Sequence, residues 1–464
     1  MSKIDGMYRI DIPTKGISEK APLIESKFNQ ARNILKDRDS LLTSIVHPLG
    51  EIVEVIVDRF NSLPNGINLS GHELPQGYTR GYYTEFLQNT EAGQKILKLW
   101  FGNNAKLEDV SKYPHKNKIL ESILYGFNKL KVVGADNKVQ PRKRKSKIGD
   151  VSNPVYQIHT HVEVPFILEK FGFIDSDLLS IALGVNHDTT EEGMRAVREE
   201  DGVIHAEVIR IKDLVGKFPE NNLGRKLAMG IQVLTESEKD EIERSHPNIF
   251  SSLLNRDLRK PNGDLVKVSE EYRRIKAETK QRDEDITEHL IEGPLKYGGL
   301  ALQVREFVKR AVDSGLPGFS KKDAKNLALA VINVEFADRI GDMAGLTRIV
   351  GSSKLTPEYQ RERIKLYAAR MLNMMEKLQD SVRYVGAKRQ YESKFELYKR
   401  ILEVQLAEVN KGFRKLGISE ITPDELTNYY WQTAKPIQQH ADELMTDFTN
   451  KKVDRIISEI VAVK

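Results

Sequence analysis

"SKKDAKNLALAVINVEFADRIGDM", residues 320–343, opens with Ser320 and Asp323 at capping-box spacing, which marks the start of a helix. Leu327, Val331, Val334 and Asp338 then follow at offsets of 4, 3 and 4, so all four share one helical face. Asp338 therefore points where the apolar residues point. An unpaired carboxylate buried there costs several kcal/mol, so Asp338 needs an arginine such as Arg339 or Arg348, a set of donors, or a metal ion.

Two other segments carry residues of the same chemistry. "YQIHTHVEVPFILEKFG", residues 156–172, holds His159 and His161, and "GVNHDTTEE", residues 184–192, follows the apolar run "LLSIALGV" with His187, Asp188, Glu191 and Glu192. Histidine and carboxylate donors on inward-facing helix positions suit Mn²⁺, Fe²⁺ or Zn²⁺. With no cysteine in the chain, disulfides, thiolate catalysis and Cys-ligated metals are excluded, and any metal must use His and carboxylate.

The surrounding pattern is mostly long helices joined by polar loops. "SLLTSIVHPLGEIVEVIVDRF" has helical apolar spacing, with Pro48 expected to mark a boundary or kink. The Gly-, Pro- and Asn-rich tract 61–82 reads as a long connection, and "DGVIHAEVIRI" as a short hairpin in an otherwise strand-poor chain. "KPNGD" predicts a turn inside a charged insertion. Thr356 and Pro357 begin another helix as N-cap and first helical residue, and Phe395, Tyr398, Leu402, Leu406 and Val409 continue the stripe. The fold class expected is all-α.

The 464 residues carry 72 basic and 67 acidic side chains, a net +5, which makes no case for nucleic acid as the partner. No apolar run approaches the ~18 residues of a membrane span, and the first residues lack a secretory or transit pattern, so a cytoplasmic protein without a membrane partner is expected. The run "RKRKSK", residues 142–147, has Arg142, Lys143 and Arg144 just ahead of the histidines, suited to gripping phosphate oxygens.

His…His-Asp…Asp spread over several helices resembles the HD-domain phosphohydrolases. The adjoining words resemble the RelA/SpoT-homologue hydrolases, which remove the 3′-pyrophosphate of guanosine tetra- and pentaphosphate. "QPRKRKSKIGDVSNPVYQIHTHVEVPFIL" is similar to that family's Gln-x-Arg-Lys run, Pro-Tyr and first metal histidine; "HDTTEE" to its His-Asp-x-x-Glu-Asp; and "FADRIGDM" to its Leu-Ala-Asp-Arg-Leu-His-Asn-Met. "MGIQVLTE", residues 229–236, resembles the segment between.

The resemblance implies an HD-domain helical bundle over 116–350, flanked by helical regions 1–115 and 351–464; full-length members of that family follow the hydrolase with a nucleotidyl-transfer domain, but residues 351–464 read as helices without its Gly-rich or mixed α/β pattern. It implies a divalent metal, usually manganese, on His187, Asp188, Asp338 and one early histidine. His159 keeps the family's spacing from Tyr156; His161 lies 26 residues before His187 and starts a helix after Thr160 with Glu163 completing a cap, and is preferred. It further implies that Glu191 and Glu192 orient and deprotonate the attacking water, that Arg142 packs on guanine, and that Lys143, Arg144, Tyr156 and Asp342 lie at the substrate.

The chain departs from the family in having Gly341 for His, Asp342 for Asn and Glu192 for Asp, no proline after the first histidine, and an enlarged segment around 236–300. An added carboxylate at Asp342 repels phosphate unless it faces away or binds a second cation. The expected ligand is a guanosine polyphosphate or related nucleotide. The alternative is a catalytically silent HD fold binding a nucleotide or protein, with the helical extensions serving a homo-oligomer or protein partner.

Overall fold

The structure is a computed structural model and describes residues 21–62, 76–136, 138–144, 147–148, 151–200, 203–218, 222–235, 277, 281, 293–316, 319–353 and 355–462. The expected turn at "KPNGD", most of the segment 236–300, residues 63–75 of the connecting tract, and Lys145 and Ser146 of the basic run lie outside them. Within them the protein is all-α, with three two-stranded antiparallel hairpins as its only sheets among the described residues.

Helix α1 (Ala21–Asn61) runs through Pro48 without the boundary the sequence suggests. Ile45, Leu49, Val53 and Ile56 are buried on both sides of the proline. At about 1.5–3 kcal/mol for each such side chain, their packing offsets the hydrogen bond the ring cannot donate. Within this helix, residues 25–59 are long and apolar enough to cross a membrane by length and composition, which amends the expectation that no run approaches a span. In the fold this helix packs against a long C-terminal helix.

Helix α2 (Gln76–Asn89) begins inside the Gly-rich tract, held by buried Tyr83, Phe86 and Leu87. Helix α3 (Glu91–Phe101) starts on a Thr90 cap, and α4 (Leu107–Lys112) and α5 (Pro114–Lys129) follow. Strands β1 (Lys131–Val133) and β2 (Val139–Pro141) pair, as do β3 (Lys147–Ile148) and β4 (Val151–Ser152). A widened helical turn, His159–Glu163, leads into α6 (Val164–Lys170), then come α7 (Leu179–Asn186) and the single turn α8 (Thr189–Glu192).

Strands β5 (Met194–Glu200) and β6 (Val203–Val208) form the hairpin expected at "DGVIHAEVIRI". The remaining helices are α9 (Ile211–Lys217), α10 (Leu223–Leu234), α11 (Gly293–Asp313), α12 (Lys321–Met343), α13 (Pro357–Tyr384), α14 (Lys388–Lys415), α15 (Pro423–Tyr429) and α16 (Lys435–Ala462).

Helix α12 is the axis of the molecule, touching α6, α7, α10, α11, α13 and α14. Its Ser320–Asp323 capping box forms as the sequence requires, and every residue from Ala330 to Gly341 is buried. Phe336 meets Phe171, Phe173, Phe395 and Tyr398 at ring-centroid distances of 5.1–5.6 Å. Those contacts fix the helix rotation two residues before Asp338. A single hydrophobic core runs from Ala31 to Ile460, with α1 packed on α14, so it crosses positions 115 and 350 without a break.

Candidate metal centre

His159, His187 and Asp338 converge in the interior, each offering one ligand atom within 4.8 Å of the others. His159 Nε2 lies 3.1 Å from Asp338 Oδ1, and His187 Nε2 lies 3.9 Å from the same oxygen. Asp188 stands at the edge of the group, its Oδ2 3.0 Å from His187 Nε2 and 4.0 Å from His159 Nε2.

The imidazoles are oriented from behind. His187 donates its Nδ1–H to the Gly184 carbonyl at 2.7 Å, leaving Nε2 to face the group. The extra residue in the turn 159–163 brings the Glu163 carboxylate 2.8 Å from His159 Nδ1, so that nitrogen donates and Nε2 again faces inward.

Asp338 is both salt-bridged and part of the group: Arg339 reaches its Oδ2 at 2.8 Å while Oδ1 faces His159. His187 Nε2 and Asp188 Oδ2 are buried and make no hydrogen bond, their 3.0 Å separation lacking hydrogen-bond geometry. Orphaned buried N and O donors in this arrangement suit a divalent cation.

Electrostatics point the same way. Burial opposes charge on His187, yet the Asp188 and Asp338 carboxylates push its pKa up to about 9. Burial likewise opposes charge on Asp188, but His187 and His159 hold it down to about 2; Asp338, again against burial, is held well below the carboxylate range by Arg339 and His159. Imidazoles and carboxylates thus stabilise one another's charge, and His159, His187 and Asp338 could instead hold a divalent metal in place of the imidazole protons.

His161 is not in this group, which corrects the preference for it. Its Nε2–H donates to the Ile123 carbonyl at 3.1 Å, its Nδ1 accepts from Thr160 Oγ1 at 2.7 Å, and its ring lies edge-on to Phe127 and Trp100. Burial pushes its pKa down to about 3, so it is a neutral core residue. The helix begins before Thr160, so neither Thr160 nor Glu163 acts as a cap, and two residues of helix turn His161 away from His159.

A cavity of about 560 Å³ opens beside the group. Glu191 and Glu192 line it from the turn after Asp188, and Glu192 is ion-paired with Arg142. Arg144 lines it too, donating to Asp342 Oδ1 at 2.8 Å and Glu163 Oε2 at 3.3 Å. Tyr156 also lines it, with its ring 5.8 Å from that of His159. Lys143 is exposed, pairs through its backbone with Val155, and does not line the cavity; nor does Arg142.

The two departures in "FADRIGDM" acquire physical reasons. Asp342 is clamped between Arg144 and Arg339, the latter at 2.5 Å, so its charge is matched within the protein. A Cβ on Gly341 would come within 3.2 Å of the Glu163 carboxyl carbon. The missing side chain makes room for the carboxylate that orients His159.

Sequence reasoning missed Glu163 as the histidine's acceptor, together with Arg38 of α1, 3.6 Å from Glu163 Oε1. It also missed a wall of the cavity formed by Arg348, Arg363, Tyr367 and Arg370. The i, i+4, i+7 spacing of the last three was a readable signal for one shared face of α13. Compared with family models, curated proteins and solved structures, the chain matches none.

Proposed function

We propose that this protein is a metal-dependent phosphohydrolase of the HD type that removes the 3′-pyrophosphate of a guanosine polyphosphate, consuming one water and giving GDP or GTP and pyrophosphate, with manganese as its resident ion. The observation that carries this reading is the convergence of His159, His187 and Asp338, with Asp188 beside them, from three segments in the order the sequence resemblance implies. A cavity of about 560 Å³ lies within the usual range for a small-molecule site and is lined by carboxylates and arginines together.

His159, His187 and Asp338 would hold the ion, with the Asp188 carboxylate beside them. When bound, the ion supplies positive charge to a phosphoryl oxygen and acidifies a nearby water. Glu191 or Glu192, lining the cavity from the neighbouring turn, would accept the proton that the attacking water loses. Arg142 is ion-paired with Glu192 and holds that carboxylate in place. Arg144, fixed by Asp342 and Glu163, presents a guanidinium at the cavity wall for a phosphate oxygen.

Incubating the protein with Mn²⁺ and guanosine tetraphosphate should release pyrophosphate. His187→Ala and Asp338→Ala should lose both the metal and the turnover, whereas Glu191→Gln and Glu192→Gln should keep the metal and lose most of the rate. A metal-loaded protein that releases no pyrophosphate overturns the proposal.

A further inference from the structure

The single turn α8 carries Glu191 and Glu192 to the cavity, and four residues of helix do not hold their own shape in water. Its start is tied locally, Thr189 Oγ1 donating to the Asn186 carbonyl at 2.7 Å. Its middle is tied to another element. Thr190, between Asp188 and Glu191, has its hydroxyl 2.8 Å from that of Thr235, the residue that ends α10. The Thr235 hydroxyl already donates to the Ile231 carbonyl at 2.8 Å, so Thr190 donates and Thr235 accepts.

Behind Thr235 stands a residue from the far end of the chain. Lys452 of α16 is buried, and its ammonium donates to the Thr235 carbonyl at 3.0 Å across 217 residues of sequence. A cation at the last carbonyls of a helix meets the negative end of its dipole. A buried ammonium is costly unless its hydrogen bonds are made, so the carbonyl it binds is held with it. None of Thr190, Thr235 and Lys452 lines the cavity, so any effect they have on it passes through the turn. We infer that these three are positioning residues, through which the C-terminal helix sets the direction in which Glu191 and Glu192 face the cavity. The inference rests on the reading of Glu191 and Glu192 as the proton-accepting pair, but the tie between α16 and the turn can be measured without it.

The test uses the full chain loaded with Mn²⁺. Thr190→Val and Lys452→Met should each keep the bound metal in elemental analysis and lower kcat for guanosine tetraphosphate about ten- to a hundredfold, with KM moved by less than about threefold. Thr190→Ser, which keeps the hydroxyl, should recover most of the rate. Thr190→Val combined with Thr235→Val should be no slower than Thr190→Val alone, since both remove one hydrogen bond. Amide hydrogen exchange over residues 188–192 should quicken about tenfold in Thr190→Val and in Lys452→Met. Unchanged exchange there in both variants overturns the inference; so does loss of metal along with rate, or a full kcat in variants whose turn exchanges faster. Should Lys452→Met fail to fold, Thr190→Val, a change of one hydroxyl at a half-buried site, decides by the same readouts. A wild-type protein that binds Mn²⁺ and releases no pyrophosphate removes the hydrolase reading. Faster exchange at 188–192 in the variants then retains the tie between α16 and the turn, and unchanged exchange removes that too.

Discussion

Two histidines two residues apart meet opposite environments, and mutation should separate them. His159→Ala should lower the bound metal measured by elemental analysis. His161→Ala should leave metal content near wild type but destabilise the fold by about 2–4 kcal/mol in denaturant unfolding, since it opens a cavity and strands the Ile123 carbonyl. Glu163→Gln keeps the shape behind His159 but removes the charge shared with Arg38 and Arg144. It should weaken metal affinity about 10–100-fold in a chelator competition. Much at this scale was legible: Asp338 stood out because its helical face was otherwise apolar, and His187 because it closed an apolar segment. The choice between His159 and His161 was not legible, because a widened helical turn depends on tertiary packing that local spacing does not encode.

At the scale of elements, local chemistry was readable and burial was not. The Ser320 box and the Thr356 cap before Pro357 form as their sequences dictate, since each needs only residues within one turn. Pro48 misled because the packing that sustains α1 comes from partners far along the chain. Strand β1 carries a burial effect no pattern announces: burial, with Lys129 adding to it, pulls Lys131 down to about 7 from 10.5. The unfolded chain thus binds more protons than the folded one between those values, and stability should rise with pH across that window. Lys131→Met should stabilise the protein by on the order of 3 kcal/mol at and below about pH 7, an advantage that shrinks as pH approaches 10.5. Denaturant midpoints of both proteins across that range check this.

For the whole molecule, the all-α class could be read from periodicity, but the role of the C-terminal helices could not. Their apolar stripes predicted helices, and Arg363, Tyr367 and Arg370 become meaningful only when α13 is laid against the cavity. The continuous core has a consequence for dissection. Residues 116–350 expressed alone would expose the faces that α1, α13 and α14 cover. That fragment should fail to unfold cooperatively in calorimetry, whereas the full chain should give a cooperative transition.

The chain has two tryptophans. Trp100 is buried and its indole N–H donates to the His161 carbonyl at 2.9 Å, inside the turn that carries His159; Trp431 is 43% exposed. An aqueous quencher such as iodide should silence Trp431 and spare Trp100. The remaining emission then reports on the turn behind the candidate metal centre, an intrinsic signal that addition of a divalent metal should change without any label.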